Sequence, residues 1–480
     1  MSAALPRVSR KDPAPEIGIV HLGLGAFFRS HGALVINEAM AAAGGSWGVS
    51  GVSLRSPATR DRLAPQGNLY TAVEMGSEGQ LPRIVQVLGE VLFAPENPAG
   101  VLARLADTSV KIVSLTVTEK GYCHIPSTGE LDLQHPDIKH DIHNATPISA
   151  PGYLVRALEA RRAAGHRPFT VLSCDNLPDN GRVVRNVVTG LAEAIDPALA
   201  QWIATEGRFP STMVDRIVPA TTPQDIKQLA ARTGQLDEAP VFHEPFLQWV
   251  IEYNFVDGQR PSFELVSGVQ MVTDVAPFEH MKVRMLNGTH SALAYLGYLS
   301  GHETISETVN DPVFRAFARE VWEQEIIPTL TPPEGVDLHG YAGDLLDRYS
   351  NSAIRHRNWQ IAMDGSQKLP QRILGTIGDN LNAGRYCDGL MLAVAAWMRY
   401  VGGVDENGKP IEVKDPMASK LRELSDAGAD PRAKVINMLS VEEIFSPDLV
   451  GRIREDVAAA YTGLVENGAR ASTAAVAGMW

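Results

Sequence analysis

Cysteine is scarce in this chain of 480 residues: Cys123, Cys174 and Cys387 are the only three. Three thiols so far apart exclude a disulfide scaffold and an all-cysteine zinc site, and they fit a reducing compartment. Basic residues are outnumbered, 43 Lys and Arg against 56 Asp and Glu, for a net charge of −13. A nucleic-acid binder shows a basic excess or stripe. Here no basic run is longer than a pair such as Arg161-Arg162, so no nucleic-acid partner is expected. Long apolar runs are missing too: the longest, around 390–398, is too short to span a bilayer, and no membrane partner is expected. Residues 1–16 are polar and contain proline, without the apolar segment of a secretory signal, which makes the cytoplasm the expected location. Zinc spacings such as His-Glu-x-x-His and Cys-x-x-Cys are absent, as are a serine triad and a thiol–histidine pair. Metal-free chemistry is expected.

What is present is an ordinary globular composition, 44% hydrophobic and 21% charged. The segment 17–25 reads as a buried strand running into a glycine turn, 33–40 as a helix, and 47–54 as the next strand. Short β-branched runs at 111–117 and 169–174 alternate with helical stretches such as 153–164 and 183–194. Strands alternating with helices predict an α/β domain with a parallel sheet. Beyond about residue 278 the alternation stops. Segments 290–299, 312–325, 338–349, 387–400 and 433–439 all read as helices. The expected organisation is a Rossmann-like dinucleotide-binding domain over 1–278 and a mostly α-helical substrate and catalytic domain over 279–480.

Gly23-Leu24-Gly25, after a strand and before a helix, begins a dinucleotide fingerprint in which glycines let the backbone approach a pyrophosphate. Phe28 occupies the third glycine position, so the motif is incomplete and by itself fits a structural turn equally well. Gly23, Gly25, Ala26 and Phe27 are the candidate loop contacts. Arg29 and His31 would add positive charge near a phosphate, against the plainer reading of a solvated helix start. The second strand ends at Ser53-Leu54-Arg55-Ser56 with no carboxylate for a ribose. Arg55 could take a 2′-phosphate or stack on adenine, so NAD is the expected cofactor with NADP also open.

The segment 279–290 sets Glu279, Lys282, Asn287 and His290 among Met281, Val283, Met285 and Leu286. On an α-helix at about 100° per residue, with Lys282 at zero, Glu279 falls near about 60°, His290 near about 80° and Asn287 near about 140°. Burial lowers a lysine's pKa toward the range that a general base needs. Oxidising a secondary alcohol by hydride transfer needs such a base and donors for the developing alkoxide, which the Asn287 amide can supply. A structural Lys–Glu pair with an amide cap is the plainer alternative. The Lys-x4-Asn-x2-His spacing, expected by chance in only about a few per cent of chains this long, favours the catalytic one. Asn176, after the strand ending at Cys174, is a second candidate donor because ligands meet open α/β sheets at strand carboxyl ends. Asp175, Asp179 and Asn180 around it also suit an Asx turn.

These residues, with Thr118-Glu119-Lys120-Gly121-Tyr122, Met213-Val214-Asp215-Arg216, Gln248-Trp249 and Asp364-Gly365-Ser366-Gln367-Lys368-Leu369-Pro370-Gln371-Arg372, make the chain resemble the polyol-specific long-chain dehydrogenase/reductases. That group holds mannitol 2-dehydrogenase and fructuronate reductase (D-mannonate oxidoreductase), and the resemblance runs nearly end to end. It implies a metal-free, monomeric or weakly associating enzyme acting on a small sugar acid or polyol. Lys282 would be the general acid/base, Asn176 and Asn287 the alkoxide donors, His290 a substrate-positioning group and Glu279 the proton gate. Lys368 would reach substrate hydroxyls and Asp215 would line the pocket. Arg355-His356-Arg357 and the Lys368 segment look closest to fructuronate reductases, where a substrate carboxylate wants a cation. Lys368, Arg372, Arg357 and Lys120 are the candidates for that partner. The chain has Phe27-Phe28-Arg29-Ser30-His31 where fructuronate reductases typically have Phe-His-Arg-Ala-His, a departure that bears on cofactor contacts. The alternatives are a mannitol or arabinitol 2-dehydrogenase, a tagaturonate reductase, or a silent sugar-acid sensor, against which the complete Lys/Asn/His/Glu set argues.

Overall fold

The computed structural model describes residues 5–479. Two compact units divide it, 1–276 and 277–480. The first is built on five parallel strands: β1 (Ile17–Leu22), β2 (Gly48–Ser53), β3 (Leu88–Phe93), β4 (Ile112–Leu115) and β5 (Thr170–Ser173). They lie in the order β3-β2-β1-β4-β5. The order reverses between β1 and β4, the switch point outside which doubly wound sheets bind ligands.

Apolar side chains on both faces explain why these strands are central. Val20, Leu22, Val113, Leu115 and Val171 pack into one core, Ile19, Val49, Ile112 and Leu172 into the other. Such two-sided burial makes parallel strands read as continuous apolar runs rather than alternating ones, and this is why β1 and β4 are visible in the sequence. The run 111–117 is longer than the strand it produces. β4 ends at Leu115, and Thr118 takes a left-handed φ of 63°, turning the chain away. β3 was not anticipated, nor were two three-stranded sheets. One joins Thr212–Asp215, Gln248–Glu252 and Val269–Val272; the other joins Tyr70–Gly76, Gly79–Val85 and Val241–His243. Tyr70–Gly76 and Gly79–Val85 form a local hairpin, but the second strand is mostly exposed and carries Pro82, which masks a strand pattern; the other strands have three to five residues and pair with distant segments.

The second unit is helical, and among its described residues only isolated bridges such as Thr304 with Arg357 stand in for strands. Capping sets its helix starts: Thr304 and Glu307 form a capping box, and Pro312 and Pro447 begin their helices where no N–H is required. The helix Asp388–Val401 is buried almost all round and packs against Thr289–Leu299 and Pro447–Asn467. Two expected α-helices contain wider π turns, Lys282–Gly288 and Val321–Ile326. No helix among the described residues is long and apolar enough to cross a membrane.

Candidate active site

In the first unit the glycine turn is shaped by what surrounds it. Gly23 has φ 92°, and a Cβ there would lie 2.2 Å from the Thr116 carbonyl oxygen. Both the backbone conformation and the contact therefore require glycine. Gly25 differs: an added Cβ meets nothing nearer than Gly23 O at 3.8 Å, so open space lies over its backbone. The Gly25 N–H closes the turn on Gly23 O at 2.7 Å, and the helix Ala26–Ser30 follows. A crowded first glycine and an open second one fit a group that approaches the main chain closely. Gly23, Gly25, Ala26 and Phe27, the expected loop contacts, make up this turn and the start of that helix.

His21 braces this turn from below. Thr116 Oγ1 donates to Gly23 O at 2.9 Å, so it accepts from His21 Nε2 at 2.9 Å. Nε2 then carries the proton, and Nδ1 accepts from Ser114 Oγ at 2.8 Å. Phe28, the residue that interrupts the fingerprint, stacks on the His21 ring at 3.4 Å. It fills the strand–helix gap that a glycine would leave empty. Burial pushes His21 down to about 3, so the imidazole stays neutral.

Arg29 is a correction to the sequence reading. It is buried, its Nε donates to Gly25 O and its Nη1 to Ala239 O, and its guanidinium lies over the Tyr70 ring at 5.3 Å. Its charge supports the turn from inside the protein rather than facing a phosphate. Arg55 is exposed, two residues beyond the carboxyl end of β2.

The carboxyl ends of β4 and β5 are strapped together by Asp175. Its carboxylate accepts from the N–H groups of Val117 and Thr118 at 2.9 and 3.0 Å and from Tyr122 Oη at 2.7 Å. Burial pushes this carboxyl up and those donors hold it back. Asn180 adds a second strap, donating to Asp175 O and Thr212 O. The Asx-rich stretch is thus a clamp that leaves Asn176 exposed just past the end of β5. Asp215 is buried at the end of its strand, and Lys120 is exposed on the short 3-10 turn Glu119–Tyr122.

In the second unit the lysine segment is not the regular α-helix expected. The α-helix Ala276–Met281, carrying half-buried Glu279, widens into the π turn Lys282–Gly288 before α-helix resumes at Thr289. Three carbonyls of the turn are taken by side chains from elsewhere in the unit. Trp322 Nε1 donates to Met285 O at 3.0 Å, Tyr349 Oη to Leu286 O at 2.7 Å and Arg372 Nη1 to Asn287 O at 3.4 Å. Gly288 lets the Arg372 main chain close in, since a Cβ there would be 2.6 Å from Arg372 O. A π turn bonds i to i+5, and such turns gather at functional sites. Lys282 and Asn287 are five apart, so the widened turn brings nearer to one face two residues that α-geometry would separate by about 140°. Lys282 is buried and Asn287 half-buried.

His290, one turn further on, is buried, stacked on Tyr349 at 5.0 Å and edge-on to His356 at 5.1 Å. Burial first, then the nearby His356, Arg372, Arg348 and Lys368, hold its pKa well below the ordinary imidazole value. Lys368 Nζ donates to the carbonyls of Ile361 and Met363. Arg357, expected as a substrate cation, is exposed and paired with Glu303 at 3.2 Å. Sequence reasoning missed Arg348, His356 and Tyr349 as neighbours of His290. Only their shared place in this packed cluster reveals them.

The N-terminal residues 17–265 match the family model "Mannitol dehydrogenase Rossmann domain", and residues 274–465 match "Mannitol dehydrogenase C-terminal domain". An uncharacterized oxidoreductase of Escherichia coli K12, YeiQ, is 50% identical over 449 residues, covering 92% of this chain and 90% of its own. The D-mannonate oxidoreductase of the same organism is 48% identical over 474 residues, 96% of each chain. The Pseudomonas fluorescens mannitol 2-dehydrogenase, solved as a ternary complex with NAD and D-mannitol, superposes with a TM-score of 0.85 at 38% identity, covering 98% of this chain and 96% of that one. The chain belongs to the mannitol dehydrogenase family of oxidoreductases.

Proposed function

We propose that this protein is an NAD(H)-dependent fructuronate reductase that interconverts D-fructuronate and D-mannonate, with Lys282 as the general acid/base. The observation that carries this reading is the buried Lys282 on a pinned π turn with Asn287 five residues on. The 48% identity to a D-mannonate oxidoreductase across 96% of the chain supports the substrate. When bound, the nicotinamide cofactor supplies or accepts the hydride at the substrate's secondary carbon. Gly23, Gly25, Ala26 and Phe27 hold its pyrophosphate through the main chain, and Arg55 lies at the nucleoside end.

Reduction leaves negative charge on the carbonyl oxygen, and the Asn287 and Asn176 amides donate to it. Lys282, as ammonium, delivers the proton to that same oxygen, and in the oxidative direction removes it. Glu279, on the preceding helical turn, exchanges the lysine's proton with solvent. His290, neutral, positions a substrate hydroxyl. Lys368 and Asp215 contact the polyhydroxyl chain.

A mannitol or arabinitol 2-dehydrogenase is the second reading, favoured by the likeness to the P. fluorescens enzyme. A tagaturonate reductase differs only in substrate epimer. Oxidation of NADH with D-fructuronate, D-tagaturonate and D-fructose, and reduction of NAD with D-mannonate and D-mannitol, separates the three. Fructuronate and mannonate are expected to give the highest kcat/KM. Turnover of the neutral sugars with none of the acids overturns the proposal.

A further inference from the structure

Three side chains of the first unit that the chemistry above does not use converge on one another. Cys123 Sγ, a ring nitrogen of His135 and a carboxylate oxygen of Asp137 all lie within 4.8 Å of each other, and among the described residues no other three cysteine, histidine or acidic side chains form such a group. Thiolate, imidazole and carboxylate are the common zinc ligands, whereas magnesium and calcium sites use oxygen alone. The backbone builds the group from both ends of one excursion. Cys123 follows the 3-10 turn Glu119–Tyr122, and its carbonyl accepts from the Asp132 N–H at 2.9 Å, closing the chain between them into a loop. The His135 N–H then donates to Asp132 O at 3.1 Å, and Pro136 opens the helix Pro136–His143. His135 and Asp137 have ordinary duties there: His135 Nδ1 accepts from the Asp137 N–H at 3.2 Å, and a carboxylate suits the first turn of a helix. Cys123 is less ordinary. It is buried, at 5% exposure, with φ 52° and ψ 40°, a left-handed conformation that residues with a Cβ rarely adopt. It borders the apolar core on one side, yet its sulfur lies beside an imidazole and a carboxylate, which packing alone does not require. Ligand atoms about 2.0–2.3 Å from one tetrahedral zinc ion stand about 3.3–3.7 Å apart. Swinging the half-buried His135 and Asp137 side chains by about an ångström therefore brings all three into reach.

We propose that Cys123, His135 and Asp137 bind one thiophilic divalent cation, zinc above all, with water as the fourth ligand, and that the ion staples the loop 123–135 to the helix Pro136–His143. Uptake displaces the thiol proton to solvent. The His135–Asp137 cap bond gives way to the metal bond, since a neutral imidazole has one acceptor nitrogen. The ion takes no part in hydride transfer, so this inference is independent of the substrate. Its effect is on the fold. Tyr122, the residue before Cys123, accepts from Ser173 Oγ at 2.6 Å and donates to Asp175 at 2.7 Å, so fixing Cys123 steadies the contact that ties this turn to the end of β5. The spacing of the three residues follows none of the short zinc motifs, which is why the sequence alone does not reveal the group.

The test is titration of the full-length protein, dialysed beforehand against a chelator, with cobalt(II) as a spectroscopic stand-in for zinc. The wild type is expected to bind a single ion per chain and to develop the near-ultraviolet thiolate-to-cobalt charge-transfer band. Zinc should then displace the cobalt and raise the unfolding temperature followed by circular dichroism. Cys123→Ser is expected to abolish the charge-transfer band, and His135→Gln and Asp137→Asn are each expected to weaken zinc binding by about tenfold or more. A band that survives Cys123→Ser assigns the thiolate to Cys174 or Cys387 and overturns the inference. Binding without such a band marks an adventitious ion only and overturns it too. If Cys123→Ser does not fold, Asp137→Asn at its half-buried position decides: unchanged zinc affinity refutes the site.

Discussion

Acid should loosen the nucleotide-binding unit through one histidine. His21 lies in β1, fully buried, and its two ring nitrogens are committed to Ser114 and Thr116. Burial lowers its pKa from 6.5 to about 3 in the folded chain. Between these values the unfolded chain binds a proton that the folded chain refuses. Its contribution is thus complete above 6.5 and drains away as the pH falls toward about 3. At about 1.4 kcal/mol per pH unit, the whole shift amounts to about 5 kcal/mol, of which about half is lost by a pH near 5. The substitution His21→Gln removes the titration and retains an amide able to donate toward Thr116 and accept from Ser114. It forfeits the stacking on Phe28, so the variant starts from a lower stability at neutral pH. Urea unfolding of both proteins between about pH 7 and about pH 4 measures the difference. The wild-type stability is expected to fall by about 3 kcal/mol more than that of the variant over that range. Parallel stability curves would refute the claim that His21 stays neutral when folded. A second readout follows from the Thr116–Gly23 bond: because His21 stays neutral in the folded chain, NADH affinity should change with pH no more in the wild type than in the variant over this interval, and that of the variant should be weaker throughout.

Three further outcomes test the geometry. Gly23→Ala places a Cβ 2.2 Å from Thr116 O at φ 92°; it should destabilise the protein by about 1–3 kcal/mol and weaken NADH binding by about tenfold or more in a fluorescence titration. Lys282→Ala should lower kcat by about 10²–10⁴ while NADH binding stays nearly intact, and surviving turnover would remove Lys282 from the acid/base role. Tyr349→Phe leaves Leu286 O without its 2.7 Å partner; a loss of about 1–3 kcal/mol in thermal unfolding is expected, together with a fall in kcat, because the π turn that aligns Lys282 with Asn287 loses one of its pins.

What the sequence reveals and what it hides divide along a physical line. β1 and β4 are readable because burial on both faces makes them nearly continuous apolar runs, whereas β2 is buried throughout yet apolar only at Val49 and Val52. Gly23 is readable because a tight strand-to-helix turn admits little else. Arg29 misleads because a positive residue beside a phosphate loop and one tied to the carbonyls of Gly25 and Ala239 look alike in one dimension. The interruption at Phe28 misleads in the opposite direction, since its ring against His21 performs the packing that a third glycine would permit. The lysine segment shows the limit most clearly. Its residue types announce chemistry, yet an α-helical projection leaves Asn287 well away from Lys282. The π turn that corrects this is held by Trp322, Tyr349 and Arg372, from 37 to 85 positions along the chain. No local periodicity encodes a carbonyl claimed by a remote side chain. Two of those pins, Tyr349 and Arg372, also border His290, one by ring stacking and one by charge. The groups that shape the proton-transfer turn are thereby the neighbours of His290, the proposed substrate-positioning group. A change at Tyr349 or Arg372 should consequently move kcat and substrate KM together, whereas a change at His356, which packs on His290, should move chiefly KM.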